Sequence, residues 1–205
     1  MHHTPPADHP PASPRTPQHR FSAVGATVLV DDDQCRRTIA RIAHEIVEHH
    51  PDPSSVALVG LHTRGVPLAE RLRALIEEFS GARPAIGSVD IALYRDDVGV
   101  GGGRRGVVPV VGETILDFDI SAHSVVLVDD VLYTGRTIRA AIDAVFDYGR
   151  PPKVELAVLV DRGHRELPIR PDYVGRNLPT SRGERVSVHL TEIDGRDEVL
   201  LEESP

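Results

Sequence analysis

The sequence predicts an α/β fold in which a mainly parallel sheet is flanked by helices. Short apolar runs alternate with segments of helical periodicity along most of the chain, which is the order of elements in such folds. Aromatic residues make up only 4% of the sequence and Trp is absent, so the core must be aliphatic, which suits a sheet buried on both faces. A chain of 205 residues is long enough for one domain with a hydrophobic core and a terminal extension.

Composition excludes several classes of protein. Cys35 is the only cysteine, so an intramolecular disulfide is impossible and a reducing, cytoplasmic location is expected. No apolar run approaches the roughly 18 residues of a membrane span, and the N-terminus lacks the apolar core of a signal peptide. The net charge of −8 argues against a general nucleic-acid binder, so any RNA contact needs a local basic patch.

Residues 1–26 are predicted to form a disordered tail before a domain that spans residues 27–205. The first 22 residues hold six prolines and four histidines, and almost no side chains that a core would bury. A metal site is the alternative interpretation of the histidines, but their spacing is irregular and no cysteine or carboxylate pattern supports it.

The first helix is predicted to begin at the acidic run of residues 31–33, since carboxylates favour the positive end of a helix dipole. Apolar residues then recur at helical spacing at Ile39, Ile42 and Ile46, and the helix ends by Pro51. Metal binding by the acidic run is the weaker alternative.

A strand, loop and helix unit follows. The apolar run 56–61 predicts a buried strand, and after a short turn apolar residues recur at helical spacing over residues 68–79. Alternating apolar residues predict the next strand over residues 86–94. Residues 96–112 are rich in glycine and cannot pack a core, and a loop of this length inside a domain is usually a lid or disordered.

The clearest strand runs over residues 125–128 and is predicted to end at Asp129 and Asp130. A loop leads into a helix whose apolar face begins at Ile138 and which Gly149 closes. The later strands are predicted at residues 154–160, 186–190 and 198–201, with an irregular, arginine-rich segment at 161–185.

The segment 125–137 carries the strongest indication of chemistry. Its strand delivers the carboxylates of Asp129 and Asp130 to the C-terminal edge of the sheet, where ligands bind in α/β folds. The loop that follows holds Thr134, Gly135, Arg136 and Thr137. It leads into a helix whose first N–H groups suit phosphate, and Gly135 allows the phosphate to approach the backbone closely. The two carboxylates can accept hydrogen bonds from the hydroxyl groups of a ribose. An ordinary turn with acidic capping is the alternative; it accounts for one aspartate but poorly for two.

This segment resembles the signature of the type I phosphoribosyltransferases. The resemblance implies their fold, with a small hood over the sheet. In that family the acidic pair meets the ribose hydroxyls of phosphoribosyl pyrophosphate and the following loop holds its 5′-phosphate, which implies Asp129 and Asp130 on the ribose and residues 134–137 on the phosphate. It also implies Mg²⁺, held mainly by substrate oxygens and water with few protein ligands.

Thr63, Arg64 and Gly65 resemble the pyrophosphate loop of the same family. They follow a predicted strand at the sheet edge, and arginine matches phosphate in a bidentate way. The family's loop often holds a non-proline cis peptide. A plain turn is the alternative for this tripeptide taken alone.

The Gly-rich stretch 96–112 falls where the family has a flexible loop that closes over the reaction. Such a lid excludes water from an easily hydrolysed transition state. Arg104 and Arg105 are then expected to meet the departing pyrophosphate. The alternative is a solvated surface loop with two unrelated arginines.

The chain is similar to one branch of this family, the pyrimidine-operon regulators called PyrR. The similar segments are 41–46, 93–97, 125–137, 159–170 and 179–182. The resemblance implies a uracil phosphoribosyltransferase that makes UMP and also binds the leader of pyrimidine mRNA when uridine nucleotides such as UMP and UTP are plentiful. It further implies that residues 161–185 form the hood, with Asp161 and Arg162 nearest the nucleotide, and that the protein forms dimers or tetramers.

A basic patch supports the RNA interpretation. Residues 162–185 contain six arginines against three acidic residues, a local net charge of +3 on an otherwise acidic protein. The predicted RNA-contacting residues are Arg41, His44, Arg165, Arg170 and Arg176. The alternative is a loop whose arginines pair with carboxylates or bind only the nucleotide.

The predicted reaction is displacement of pyrophosphate from the ribose by N1 of uracil, through positioning and charge stabilisation. Asp130 is expected to be the essential carboxylate, with Asp129 beside it. Three rivals stay open. One is a phosphoribosyltransferase for another base, such as a purine or orotate, and another is an RNA-binding regulator whose site senses the nucleotide but catalyses weakly. The third is a general mononucleotide-binding module.

Overall fold

The computed structural model describes residues 21–22, 26–92 and 113–203. The predicted lid at 96–112, with Arg104 and Arg105, lies outside the described residues, as does most of the predicted tail. The helices are α1 (Asp32–His49), α2 (Gly65–Ser80), α3 (Arg136–Tyr148) and α4 (Thr191–Asp194). Along the described stretches, no helix has both the length and the apolar character needed to cross a bilayer.

The nine strands of the described residues form two sheets. They are β1 (Phe21–Ser22), β2 (Ala26–Val30), β3 (Val56–Leu61), β4 (Ala85–Val89), β5 (Ser124–Leu132), β6 (Val154–Asp161), β7 (Tyr173–Asn177), β8 (Glu184–His189) and β9 (Glu198–Glu203). β1 and the first residue of β2 fall inside the segment predicted as a tail.

The main sheet is parallel throughout, in the order β4-β3-β5-β6-β7. Alternate residues of β5 serve opposite faces: Val126 and Val128 pack with α1 and α2, while Val125 and Leu127 pack with α3. β3 is buried along its whole length, as a strand covered on both faces must be. This arrangement confirms the predicted α/β fold.

The acidic run before α1 is a helix start, as predicted. Asp31 caps the helix by accepting a hydrogen bond from the N–H of Gln34 at 2.9 Å, and Asp32 and Asp33 occupy the first turn. The positive end of the helix dipole favours all three carboxylates.

A small antiparallel sheet, β1-β2-β9-β8, joins the two ends of the described chain, with α4 between β8 and β9. Arg71 of α2 holds this sheet in place. Its guanidinium donates to the carboxylates of Glu192 at 2.8 Å and Asp197 at 2.8 Å. The small sheet and α4 therefore dock against the helix that begins directly after β3.

The segment 161–185 was predicted to be irregular, and this prediction was wrong for β7. Tyr173 is fully buried in that strand, but the short sequence around it has neither an apolar run nor a clear alternation. β7 pairs with β6 at the edge of the main sheet, so part of the predicted hood segment belongs to the sheet itself. β4 ends at Val89, earlier than the predicted strand at 86–94.

Candidate active site

The turn between β3 and α2 lies against β5, because β3 and β5 are parallel neighbours. Two glycines permit the approach. A Cβ on Gly65 would lie 2.1 Å from the carbonyl oxygen of Val128, and one on Gly60 would lie 2.6 Å from the carbonyl oxygen of Gly65. The peptide bond between His62 and Thr63 is cis, as the resemblance to the pyrophosphate loop implied. The predicted pyrophosphate turn and the aspartate-bearing strand thus share one edge of the sheet.

Asp129 and Asp130 lie inside β5 and not at its end, because Leu132 still pairs with β6. The buried Asp129 carboxylate accepts a hydrogen bond from the N–H of Asp130 at 2.9 Å. Burial raises the pKa of Asp129 well above its ordinary value, and the neighbouring charge of Asp130 raises it further. Burial also raises the pKa of Asp130, although the N–H of Val131 and the charge of Arg64 oppose the rise. Ionising both carboxyls is therefore costly until a cation or a hydroxyl donor joins them.

The loop between β5 and α3 offers backbone donors to an anion. Gly135 precedes the helix with a φ of 92°, a left-handed conformation that favours glycine. It has no side chain with which to cap the helix, so the early N–H groups of α3 suit a bound phosphate. The N–H of Arg136 donates to Oγ1 of Thr134 at 3.3 Å, and its guanidinium pairs with Glu166 at 2.8 Å. Thr137 occupies the first turn of the helix.

The segment after β6 is fastened to this loop. The carbonyl oxygen of Thr134 accepts hydrogen bonds from the N–H groups of Glu166 at 3.0 Å and Leu167 at 3.2 Å. The Arg165 guanidinium donates to the carbonyl oxygen of Tyr133 at 2.7 Å. The predicted phosphate loop and part of the predicted RNA segment are therefore one hydrogen-bonded unit. Glu166 was not singled out from the sequence, since no pattern marks a contact between these two segments.

Asp161 and Arg162, expected nearest the nucleotide, both have partners within the protein. Arg162 is buried, donates to the carbonyl oxygen of Glu184 at 2.6 Å and stacks over the ring of Tyr133 at 4.2 Å from its centroid. Asp161 forms an ion pair with Arg165. Arg162 thus holds the end of β6 against the start of β8, and its contact with a nucleotide stays a prediction.

Arg64, in the predicted pyrophosphate turn, forms an ion pair with α4. Its Nη2 lies 2.9 Å and 3.1 Å from the two carboxylate oxygens of Asp194. Asp194 also accepts a hydrogen bond from the N–H of Leu190 at 2.9 Å. The Leu190 N–H and then the Arg64 guanidinium hold the pKa of Asp194 below its usual range. Sequence reasoning missed Asp194, which lies 130 residues from Arg64 in a segment without a motif.

The predicted RNA-contacting residues fall into two groups. Arg41, His44, Arg170 and Arg176 are exposed, whereas Arg165 is half-buried. Arg41 donates to two carbonyl oxygens of β7 at 2.6 and 2.8 Å, and His44 stacks on a phenylalanine of α2 with ring centroids 3.8 Å apart. Arg165 is committed to the contacts described above, and it lines with Arg170 a groove of about 540 Å³. Arg41 and His44 are exposed but already contact β7 and α2, and contact of any of these residues with RNA stays a prediction.

Solved structures of known proteins share this fold. The hypoxanthine phosphoribosyltransferase of Trypanosoma cruzi in complex with IMP is 17% identical with a TM-score of 0.65, covering 91% of this chain and 94% of that one. A hypoxanthine-guanine phosphoribosyltransferase from Bacillus anthracis is 16% identical with a TM-score of 0.62, covering 86% and 96%. At such identities the likeness shows the fold alone.

The sequence comparisons identify the family. The phosphoribosyl transferase domain family matches residues 26–192. The bifunctional protein PyrR of a Roseiflexus species is 57% identical over 84% of this chain and 92% of its own length. The bifunctional protein PyrR of Clostridioides difficile is 54% identical over 85% and 97%. The chain therefore belongs to the PyrR family of phosphoribosyl transferase domain proteins.

Proposed function

We propose that the protein is a uracil phosphoribosyltransferase, which converts uracil and phosphoribosyl pyrophosphate to UMP and pyrophosphate. The observation that carries the proposal is the meeting of three elements at one sheet edge. These are the aspartate pair of β5, in which Asp129 is buried and Asp130 half-buried, the glycine-containing loop before α3, and the turn that holds Arg64. Membership of the PyrR family supports uracil as the base.

Each element has a role in the proposed reaction. The loop 134–137 and the start of α3 bind the 5′-phosphate, and Asp130 accepts hydrogen bonds from the ribose hydroxyls with Asp129 supporting it. The bond from uracil N1 to the ribose C1′ forms as the bond from C1′ to the pyrophosphate oxygen breaks, and the N1 proton passes to the released pyrophosphate or to water. Positive charge develops on the ribose beside the carboxylates, while Arg64 faces the charge gathered on pyrophosphate. Thr63, exposed in the same turn, adds a hydroxyl donor.

Magnesium fits this arrangement as an ion held mainly by the substrate. No group of three His, Cys, Asp or Glu side chains suited to a metal occurs among the described residues. Asp129 and Asp130 offer only two adjacent carboxylates, and Mg²⁺ readily takes its remaining ligands from phosphate oxygens and water. When bound, the ion neutralises charge on the departing pyrophosphate.

Wild-type protein is expected to form UMP from uracil and phosphoribosyl pyrophosphate only when Mg²⁺ is present. The measurement is UMP formation with Mg²⁺, with a chelator, and with Mg²⁺ restored. Hypoxanthine, guanine and orotate serve as competing bases in the same assay. Turnover of one of these bases in preference to uracil would contradict the proposed substrate, and binding of UMP without turnover would favour a nucleotide-sensing regulator.

A second function, binding of pyrimidine-operon mRNA, is supported by the exposed Arg170 and Arg176 and by the relatives, which are named bifunctional. Arg170 lies on the segment that is hydrogen-bonded to the predicted phosphate loop. Arg176 lies on β7, the strand that follows this segment. A nucleotide bound at the loop therefore contacts the same structural unit as the proposed RNA surface.

Replacing Arg170 and Arg176 together with alanine is expected to weaken RNA binding and leave UMP formation unchanged. Loss of two phosphate contacts makes the slope of log K against the logarithm of salt concentration shallower by about 2. The measurement is binding of a pyrimidine-operon leader transcript in the presence of UMP over a range of salt concentrations. The control variant replaces the exposed Arg36 and Arg83 with alanine, which changes the net charge by the same amount. Equal weakening by both pairs would contradict this surface.

A further inference from the structure

Two arginine–carboxylate links join the region of α2 to α4. Arg71 binds Glu192, with Nε 2.8 Å from Oε1, and Arg64 binds both carboxylate oxygens of Asp194. Both acidic residues belong to the same short helix, so both links dock the small sheet. They differ in one respect: Arg64 lies in the turn packed against β5, whereas Arg71 lies further along α2.

The Arg64 guanidinium has a competing acidic neighbour. Its positive charge acts on Asp130, the carboxyl group proposed to meet the ribose. Arginine has a long side chain with several rotatable bonds, so without a fixed partner it is free to turn toward this carboxylate. An ion pair between Arg64 and Asp130 would occupy both groups that the proposed reaction needs. Some other group must keep them apart.

Asp194 is suited to that task. Its carboxylate is itself held by the N–H of Leu190 at 2.9 Å and is 22% exposed, so it presents a fixed anion to Arg64. Both short contacts use Nη2 of Arg64, which leaves Nη1 outside the bond to Asp194. An arginine bound through a single terminal nitrogen can keep this partner while it receives an anionic substrate.

We propose that Asp194 is a positioning residue, which holds the Arg64 guanidinium in the turn between β3 and α2 where the pyrophosphate group binds. The inference rests on the proposed function and assigns a part in it to α4, whose residues no motif had marked. It also distinguishes the two links, since both dock α4 but only the link from Asp194 sets an arginine of the proposed site.

The test compares Asp194→Asn with Glu192→Gln. Asparagine keeps an oxygen for the Leu190 N–H but removes the charge that holds Arg64, and Glu192→Gln removes a matched charge from the same helix. We expect Asp194→Asn to lower kcat/KM for phosphoribosyl pyrophosphate by about tenfold or more, with the KM for uracil changed less than about twofold. Glu192→Gln should leave both constants near those of wild type. The melting temperatures of the two variants show whether both changes weaken the docking of α4 and so destabilise the fold.

Two results would overturn the inference. The first is that Asp194→Asn has the kinetics of wild type or binds phosphoribosyl pyrophosphate more tightly. The second is that both variants lose kcat/KM equally, which would leave Asp194 only a docking role. A wild-type protein without turnover would instead contradict the proposed function. In that case the binding of pyrophosphate, measured by calorimetry, tests the inference. Weaker binding is expected for Asp194→Asn alone, and equal binding by wild type and both variants would contradict it.

Discussion

Replacing Asp129 and Asp130 together with asparagine is expected to abolish UMP formation while the protein remains folded. The two carboxylates lie next to the proposed phosphate loop, where they would meet the ribose hydroxyls and face the charge that develops on the sugar. Removing preorganised charge of this kind typically lowers turnover by a factor of about 10² to 10³ for a single group, so the pair should cost more. UMP formation by wild type, both single variants and the double variant measures the effect.

The stability of the double variant separates lost chemistry from lost structure. Burial raises the pKa of both carboxyls, so the folded state binds their protons more tightly than the unfolded state does. Their ionised form therefore destabilises the fold at neutral pH, and this cost disappears as the pH falls toward the ordinary aspartate pKa of about 4. The double variant should melt at or above the wild-type temperature at pH 8, with a smaller difference near pH 4. Retained turnover would sink the assignment of these residues.

Gly65→Ala is expected to destabilise the protein by about 3 kcal/mol and to remove most UMP formation. The new methyl group would lie 2.1 Å from the carbonyl oxygen of Val128, which is backbone and cannot turn aside. Relief of the clash requires the β3–α2 turn to move away from β5, and Arg64 moves with it. Urea unfolding gives the change in the free energy of unfolding, and the UMP assay at low temperature gives the activity of the remaining folded fraction.

Gly183→Ala is the matched control for this change. No atom lies within 4 Å of the position that its Cβ would take, so the free energy of unfolding should change by less than about 0.5 kcal/mol. If Gly65→Ala were as stable and as active as this control, the turn would tolerate displacement. That result would contradict the close packing on which the proposed site depends.

The main sheet and the aspartate pair were predictable because their signals are local. The apolar run 125–128, two adjacent aspartates and a glycine before a helical pattern lie within thirteen residues, and the structure places them as one strand, loop and helix. The contact of this strand with the turn at Gly65 also followed from sequence, since parallel strands bring their C-terminal ends to one edge.

The remaining features depend on contacts between distant residues that leave no pattern in the chain. Arg162 reads as an exposed cation in an arginine-rich segment, yet it is buried because the carbonyl oxygen of Glu184 and the ring of Tyr133 satisfy it. Asp194 reads as one of many acidic residues near the C-terminus, and only the fold brings it to Arg64. β7 was missed because a short edge strand needs few apolar residues.

The pairing of β2 with β9 has a consequence for the order of events during synthesis. Ala26 pairs with Glu202, so β2 leaves the ribosome long before the strand that completes its hydrogen bonding on that side. The five strands of the parallel sheet are all translated earlier than β9, and domains generally acquire structure as their segments emerge. The nascent chain is thus expected to assemble the aspartate pair first and to gain the anchored Asp194 later, so that enzymatic competence arises only after β9 has been translated.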